Sequence, residues 1–182
     1  MTTRARRALL GFMAGAVVIA IAGCAATEAP GPSLAAPSAR PSTGITPAVG
    51  QTRGELFRVL GARNLVLGDT QTPVKPAEAP LFAAAPRAVY QVLLPKDPTR
   101  GLIVVYEFRD ASSAAAAATQ QASYLATGPG RVQTPEGTVT VIRQVGSTVV
   151  YYSWLPTAAK DPSAAGIQAA LETLGVGYPV PA

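Results

Sequence analysis

In 182 residues the chain has one cysteine and no histidine, which removes Ser-His-Asp and Cys-His catalysis and any histidine-ligated metal site. Its formal charge is +5, but the basic residues past the amino terminus are scattered: Arg53, Arg58, Arg63, Arg87, Arg100, Arg109, Arg131 and Arg143. Nucleic-acid binders gather Lys and Arg on one face, so no nucleic-acid partner is expected.

The chain opens with Arg4, Arg6 and Arg7, followed by the uncharged run "LLGFMAGAVVIAIAG" over residues 9 to 23. A basic head, a short apolar middle and small residues at the end predict a bacterial export signal. Its last four residues, Ile21-Ala22-Gly23-Cys24, resemble a lipobox, the processing site of bacterial lipoproteins. The resemblance implies cleavage between Gly23 and Cys24, diacylglycerol on the Cys24 sulfur and acylation (palmitate or a similar chain) of the new amino terminus. Two or more acyl chains anchor stably where one binds reversibly. The expected location is the cell membrane, lipid-anchored, on the extracytoplasmic side. The alternative is a plain transmembrane anchor, since residues 9 to 26 hold no charge and approach the roughly 20 residues that span a bilayer. "ARRALLG" also resembles a twin-arginine signal through Arg6, Arg7, Leu9 and Leu10. Ala5 replaces the usual Ser or Thr, and the export route stays open.

Cleavage before Cys24 removes three arginines and leaves twelve basic against ten acidic residues, a formal charge of +2. With Cys24 acylated, the remaining chain has no free thiol and no disulfide, so its folded part must stand on an apolar core. Residues 24 to 50 carry Pro30, Pro32, Pro37, Pro41 and Pro47 among Ala, Ser, Gly and Thr, without apolar period. This composition predicts a disordered linker. Fully extended it would span about 80 Å at roughly 3.1 Å per residue.

Residues 51 to 182 suit one domain. Thr52 and Glu55 have capping-box spacing, and Leu56, Val59 and Leu60 share a helical face that Gly61 or Asn64 can end. A short strand, "LVL" at 65 to 67, follows. Pro73, Pro76, Pro80 and Pro86 then exclude regular structure through most of the next segment, where Leu81 and Phe82 are expected to dock on the domain.

"AVYQVLL" (88 to 94) and "GLIVVYEF" (101 to 108) read as strands joined by "PKDPTR". Asp110 caps a helix reaching Ala126, with Gly128 and Pro129 as stop signals. Ala111, Ala114, Ala115, Ala118 and Ala122 line its buried side, Leu125 alone adding bulk, and "TGPGRVQTPEG" reads as a loop. "TVTVIRQV" (138 to 145) and "TVVYYSWL" (148 to 155) flank Gly146-Ser147, a tight-hairpin pair. Asp161 caps the last helix, Pro162 takes its first position, and Ala164, Ile167, Ala170, Leu171 and Leu174 form its buried stripe. The order strand, strand, helix occurs twice and suggests a pseudo-repeat.

The expected fold is α+β: an antiparallel sheet of four to five strands with helices mainly on one face. Alternation puts Val139, Val141, Val150, Tyr152 and Trp154 on a common face, and Leu102, Val104, Tyr106 and Phe108 on another common face. Both sets are assigned to the helix-covered core. The opposite face then gathers Ile103, Val105, Glu107, Thr140, Ile142, Gln144, Val149, Tyr151 and Ser153. Either the N-terminal helix covers it, or it is a binding face built on Glu107, Gln144 and Tyr151.

No catalytic residue, metal site or cofactor is expected. Lys160 and Ser163 are close enough in sequence for a Ser-Lys dyad, but Ser163 sits beside a helix cap, where short hydroxyls are common. Glu107 and Asp110 are three apart, with Asp110 committed to its cap, and no phosphate loop or nucleotide fingerprint is present. The layout of lipobox, proline-rich tether, helix and strand, "APLF" segment and two hairpin-and-helix units resembles small uncharacterised bacterial lipoproteins, and "FRDASSAAAAA" resembles their strand end and Ala-rich helix. That resemblance implies location and fold and supplies no active-site residue. Two readings follow: a membrane-anchored, non-catalytic interaction module for an envelope protein or cell-wall partner, or a lipid-anchored binder of a small apolar ligand held between sheet and lid.

Overall fold

The computed structural model describes residues 46 to 181. The export signal, Gly23, Cys24 and nearly all of the linker lie outside the described residues. Helix α1 (Pro47–Gly61) begins inside the stretch expected to be linker. The Thr46 hydroxyl accepts from the Val49 amide at 3.2 Å, with Pro47 in the first turn. The Thr52–Glu55 spacing is therefore not a cap. Thr52 is buried in mid-helix with its hydroxyl 2.6 Å from that of Thr148, and Glu55 pairs with Arg58 on the surface. Asn64, at φ 58°, turns the chain out of the helix.

Strand β1 (Leu67–Asp69) lies two residues later than expected. The proline-rich segment then leads to a short helix, α2 (Pro80–Ala84), where Phe82 is fully buried and Leu81 exposed. Strands β2 (Arg87–Val92) and β3 (Leu102–Glu107) form a hairpin. Helix α3 (Ala111–Ala126) starts at Asp110, whose carboxylate accepts from the Ser113 amide at 2.7 Å. Gly128 and Pro129 end it as expected, but they also open a further helix, α4 (Gly128–Gln133), in the stretch read as loop. Strands β4 (Val139–Val145) and β5 (Thr148–Trp154) pair across Gly146-Ser147, Gly146 having the positive φ of 60° that a type II′ turn places on its first central residue. Helix α5 (Ser163–Leu171) and a two-residue strand, β6 (Val176–Gly177), complete the domain.

The fold is α+β. The strands form one antiparallel sheet of six, in the order β1-β2-β3-β5-β4-β6. Its helices divide between both faces, where most were expected on one. On the first face Tyr90, Val92, Ile103, Val105, Val141, Val150 and Tyr152 pack under α1 and α5. On the second, Val104, Tyr106, Ile142, Val149 and Tyr151 pack under α2 and α3.

The expected faces were wrong in one respect. Ile103 pairs with Tyr152 and Val104 with Tyr151, and directly opposed residues share a face. Val104 and Tyr106 therefore belong with Tyr151, and Ile103 and Val105 with Val150 and Tyr152. A tight turn fixes register between β4 and β5, but no turn joins β3 to β5, and a slip of one residue exchanges the faces. Of the face that the lid reading assigned to it, helix α1 covers Ile103 and Val105, whereas Ile142, Val149 and Tyr151 lie under α2 and α3.

The buried side of α3 is Ala114, Ala117, Ala118, Gln121, Ala122 and Leu125, so Ala111 and Ala115 are not part of it. Five consecutive alanines leave the stripe unspecified by sequence. Of the expected α5 stripe, Ala164, Ile167, Ala170 and Leu171 are buried on the helix, and Leu174 is buried just past its end. The two hairpin-and-helix units place α3 and α5 on opposite faces. A rotation exchanging antiparallel β3 and β5 about an axis normal to the sheet would keep both helices on one face, so no such rotation relates the units.

Candidate functional site

The turn from β2 to β3 and the connection from β5 to α5 meet at one end of the sheet. Each carries the triplet Lys-Asp-Pro, at Lys96-Asp97-Pro98 and Lys160-Asp161-Pro162. The triplets bind each other reciprocally. The Lys96 amide donates to Asp161 Oδ2 at 3.0 Å, and the Lys160 amide donates to Asp97 Oδ2 at 3.4 Å. Asp161 Oδ1 also accepts from the Ser163 amide at 2.9 Å, which makes it the cap of α5. The backbone N–H groups of Lys96 and then Ser163 hold its carboxyl below the usual carboxylate range. The capping role of Asp161 was legible. The contact between triplets was missed, although their repetition 64 positions apart was the available signal.

Beside this junction lies a pocket of about 400 Å³. Leu102, Trp154 and Leu155 supply apolar wall, and Asp97 and Arg100 supply charge. Gly101 sits on the rim at φ 75°, and a Cβ there would come within 2.6 Å of the Val92 carbonyl oxygen, so the turn needs glycine. Gln91 Nε2 donates to the carbonyls of Pro98 (2.7 Å) and Arg100 (3.0 Å), pinning the turn to the sheet. The Trp154 indole N–H donates to Gln168 Oε1 at 3.1 Å, which fixes the ring.

The structure does not gather the three residues of the expected binding face. Glu107 is opposite Thr148 and alternates with the first-face residues Ile103 and Val105. Gln144 and Tyr151 belong to the second face. Tyr151 is buried there beside Phe82, and burial raises its hydroxyl above the ordinary range. Gln144 is fully engaged: its amide donates to the carbonyls of Ala111 (2.7 Å) and Gly146 (2.9 Å), and its oxygen accepts from the Tyr178 hydroxyl at 2.7 Å. The surface disappears because helices and the carboxy-terminal segment cover what was assigned as open sheet.

A second polar group lies under α2. The Tyr106 hydroxyl donates to Glu78 Oε1 at 2.5 Å, and Arg87 pairs with the same oxygen. Burial first, and then the Glu78 carboxylate, push the Tyr106 hydroxyl far above its ordinary range, so it stays a neutral donor. The group fastens the proline-rich segment to the sheet. Among the described residues, no hydrogen bond joins Lys160 to the Ser163 hydroxyl, and no three His, Cys, Asp or Glu residues are grouped to hold a metal ion. No described helix is long and apolar enough to cross a membrane. The chain matches no family model, no curated protein and no solved structure.

Proposed function

We propose that this chain is a bacterial lipoprotein of the small uncharacterised kind it resembles, with a non-catalytic module on the extracytoplasmic side of the cell membrane. Ile21-Ala22-Gly23-Cys24, set behind a basic head and an apolar run, carries the proposal. In this reading the membrane is the first partner, reached through the acyl chains on Cys24, and an envelope protein or the cell wall is the second. The interaction reading is favoured over a ligand held between sheet and helix because both interfaces are filled by side chains. Leu56, Leu60, Ile167 and Leu171 are fully buried on the first face, and Phe82 and Tyr106 on the second.

Mass spectrometry of the membrane-fraction protein tests the anchor, the expected species beginning at an acylated Cys24. An intact Met1 terminus with unmodified Cys24 rejects it. Cys24→Ser is expected to abolish processing at this site, and a Cys24→Ser chain processed normally and retained in the membrane would end the proposal. Crosslinking in living cells tests the module, the expected product being one recurring envelope component.

A further inference from the structure

We propose that the pocket at the end of the sheet binds a small zwitterion with an apolar body, a free apolar amino acid or a short apolar peptide. Its ammonium group meets Asp97, its carboxylate meets Arg100, and its apolar part lies against Leu102, Trp154 and Leu155. The site does not depend on the lipid anchor.

The two Lys-Asp-Pro triplets supply the first argument, because they are alike in sequence and unlike in bonding. Asp161 uses both carboxylate oxygens, at 3.0 and 2.9 Å. Asp97 is only 7% exposed and lines the pocket, yet one oxygen has a single long contact of 3.4 Å and the other meets no donor among the described residues. That second oxygen is open at the pocket rather than sealed in the core, and a cationic donor is the group that contacts a carboxylate most strongly.

Arg100 supplies the second. It is exposed on the same rim, and no carboxylate lies within 4.0 Å of it among the described residues. Residues of opposite charge three positions apart on one turn thus line one pocket without pairing to each other.

This charge pattern selects by exclusion as well as attraction. A simple anion is repelled by Asp97, a simple cation by Arg100, and a neutral apolar molecule leaves both unpaired. A zwitterion satisfies both and leaves its apolar part for the Trp154 wall. The turn is held by Gln91 and Gly101 and the indole by Gln168, so little ordering is required on binding. The volume, about 400 Å³, falls in the range of about 300–1,000 Å³ usual for small-molecule sites.

Trp154 is the single tryptophan of the chain, so its emission reports on this pocket alone. The full-length protein in detergent micelles is titrated with leucine, leucyl-leucine, N-acetyl-leucine and leucinamide. Leucine or leucyl-leucine is expected to give a saturable change, and the tighter of the two identifies free amino acid or peptide. N-acetyl-leucine, lacking the ammonium, and leucinamide, lacking the carboxylate, are expected to bind about tenfold more weakly or worse, as loss of a charged hydrogen bond implies. Arg100→Gln should weaken leucine about tenfold while leaving leucinamide unchanged. Asp97→Asn should remove the preference for a free ammonium. If Asp97→Asn fails to fold, the surface variant Arg100→Gln still decides. No saturable change with leucine or leucyl-leucine, equal binding of the capped compounds, or undiminished binding by Arg100→Gln would each overturn the proposal.

Discussion

On the first face of the sheet, α1 and α5 press Leu56, Leu60, Ile167 and Leu171 onto Ile103, Val105 and Val150. On the second, α3 offers alanines, and the bulk comes from Phe82 on α2, whose ring centre lies 4.3 Å from that of Tyr106. Both faces bury polar links: the first joins the Thr52 and Thr148 hydroxyls, and the second ties α3 to the segment before α2. Gln121, fully buried on α3, accepts from the Ala79 amide and donates to the Ala77 carbonyl, both at 2.7 Å. Large aliphatic side chains stabilise by area wherever they are excluded from water. An alanine face approaches the sheet closely but brings little area, so it depends on a separate segment being fastened beside it.

Removing the aromatic plug should do most to break this contrast. Phe82→Ala is expected to cost about 3–5 kcal/mol, the usual range for a buried phenylalanine. Denaturant titration checks it, and a loss below about 1 kcal/mol would show that α2 is dispensable to the second face.

Overfilling the alanine interface comes next. Ala118 is fully buried and Ala116 exposed on the same helix. Ala118→Leu should destabilise by about 1–3 kcal/mol, and Ala116→Leu should stay within about 0.5 kcal/mol. Equal melting temperatures for the two variants would contradict close packing of α3.

A comparable effect is expected at the polar clip. Gln121→Met keeps the side chain's length and leaves the Ala79 amide and Ala77 carbonyl unpaired, at about 1–3 kcal/mol for buried groups left unsatisfied. Proteolysis within residues 70 to 79 should rise in parallel, and unchanged protection there would remove the clip from the account.

The smallest effect concerns pH. The Ser113 amide, and then its other contacts including Arg109, lower the Asp110 carboxyl to about 2. A depressed carboxyl contributes stability that is complete above its unfolded value of about 3.9 and is lost as pH falls through the folded value. Melting temperature should therefore drop between about pH 4 and pH 2, and Asp110→Asn, an equally good cap without the charge, should flatten part of that drop. Identical profiles for the two proteins would deny the cap its charge-dependent share.

The local signals were legible where the chemistry is local. The Asp110 cap, the Gly146-Ser147 turn and the α5 stripe each rest on a few neighbouring residues, and each stands in the structure. The true start of α1 was also legible in Thr46-Pro47, but Thr52 and Glu55 offered a competing cap of the same spacing. The candidate site was hardly legible at all. Trp154 read as core, Arg100 as one surface arginine among many, and Asp97 as part of a turn. Their common pocket exists because two connections far apart in sequence meet at the end of the sheet.

By itself, then, the sequence determined an α+β domain behind a proline-rich stretch, with its hairpins and most of its helices. Short-range hydrogen bonds, backbone preferences and apolar spacing decide such features within a few residues. Tertiary structure alone decided that helices cover both faces, that Tyr151 is buried and Gln144 bonded to distant segments, and that the two Lys-Asp-Pro turns join. All three follow from the pairing of β3 with β5 and from which helix crosses to which side. That pairing is fixed by burying the most apolar surface across the whole chain, a sum over distant residues that no single stretch contains.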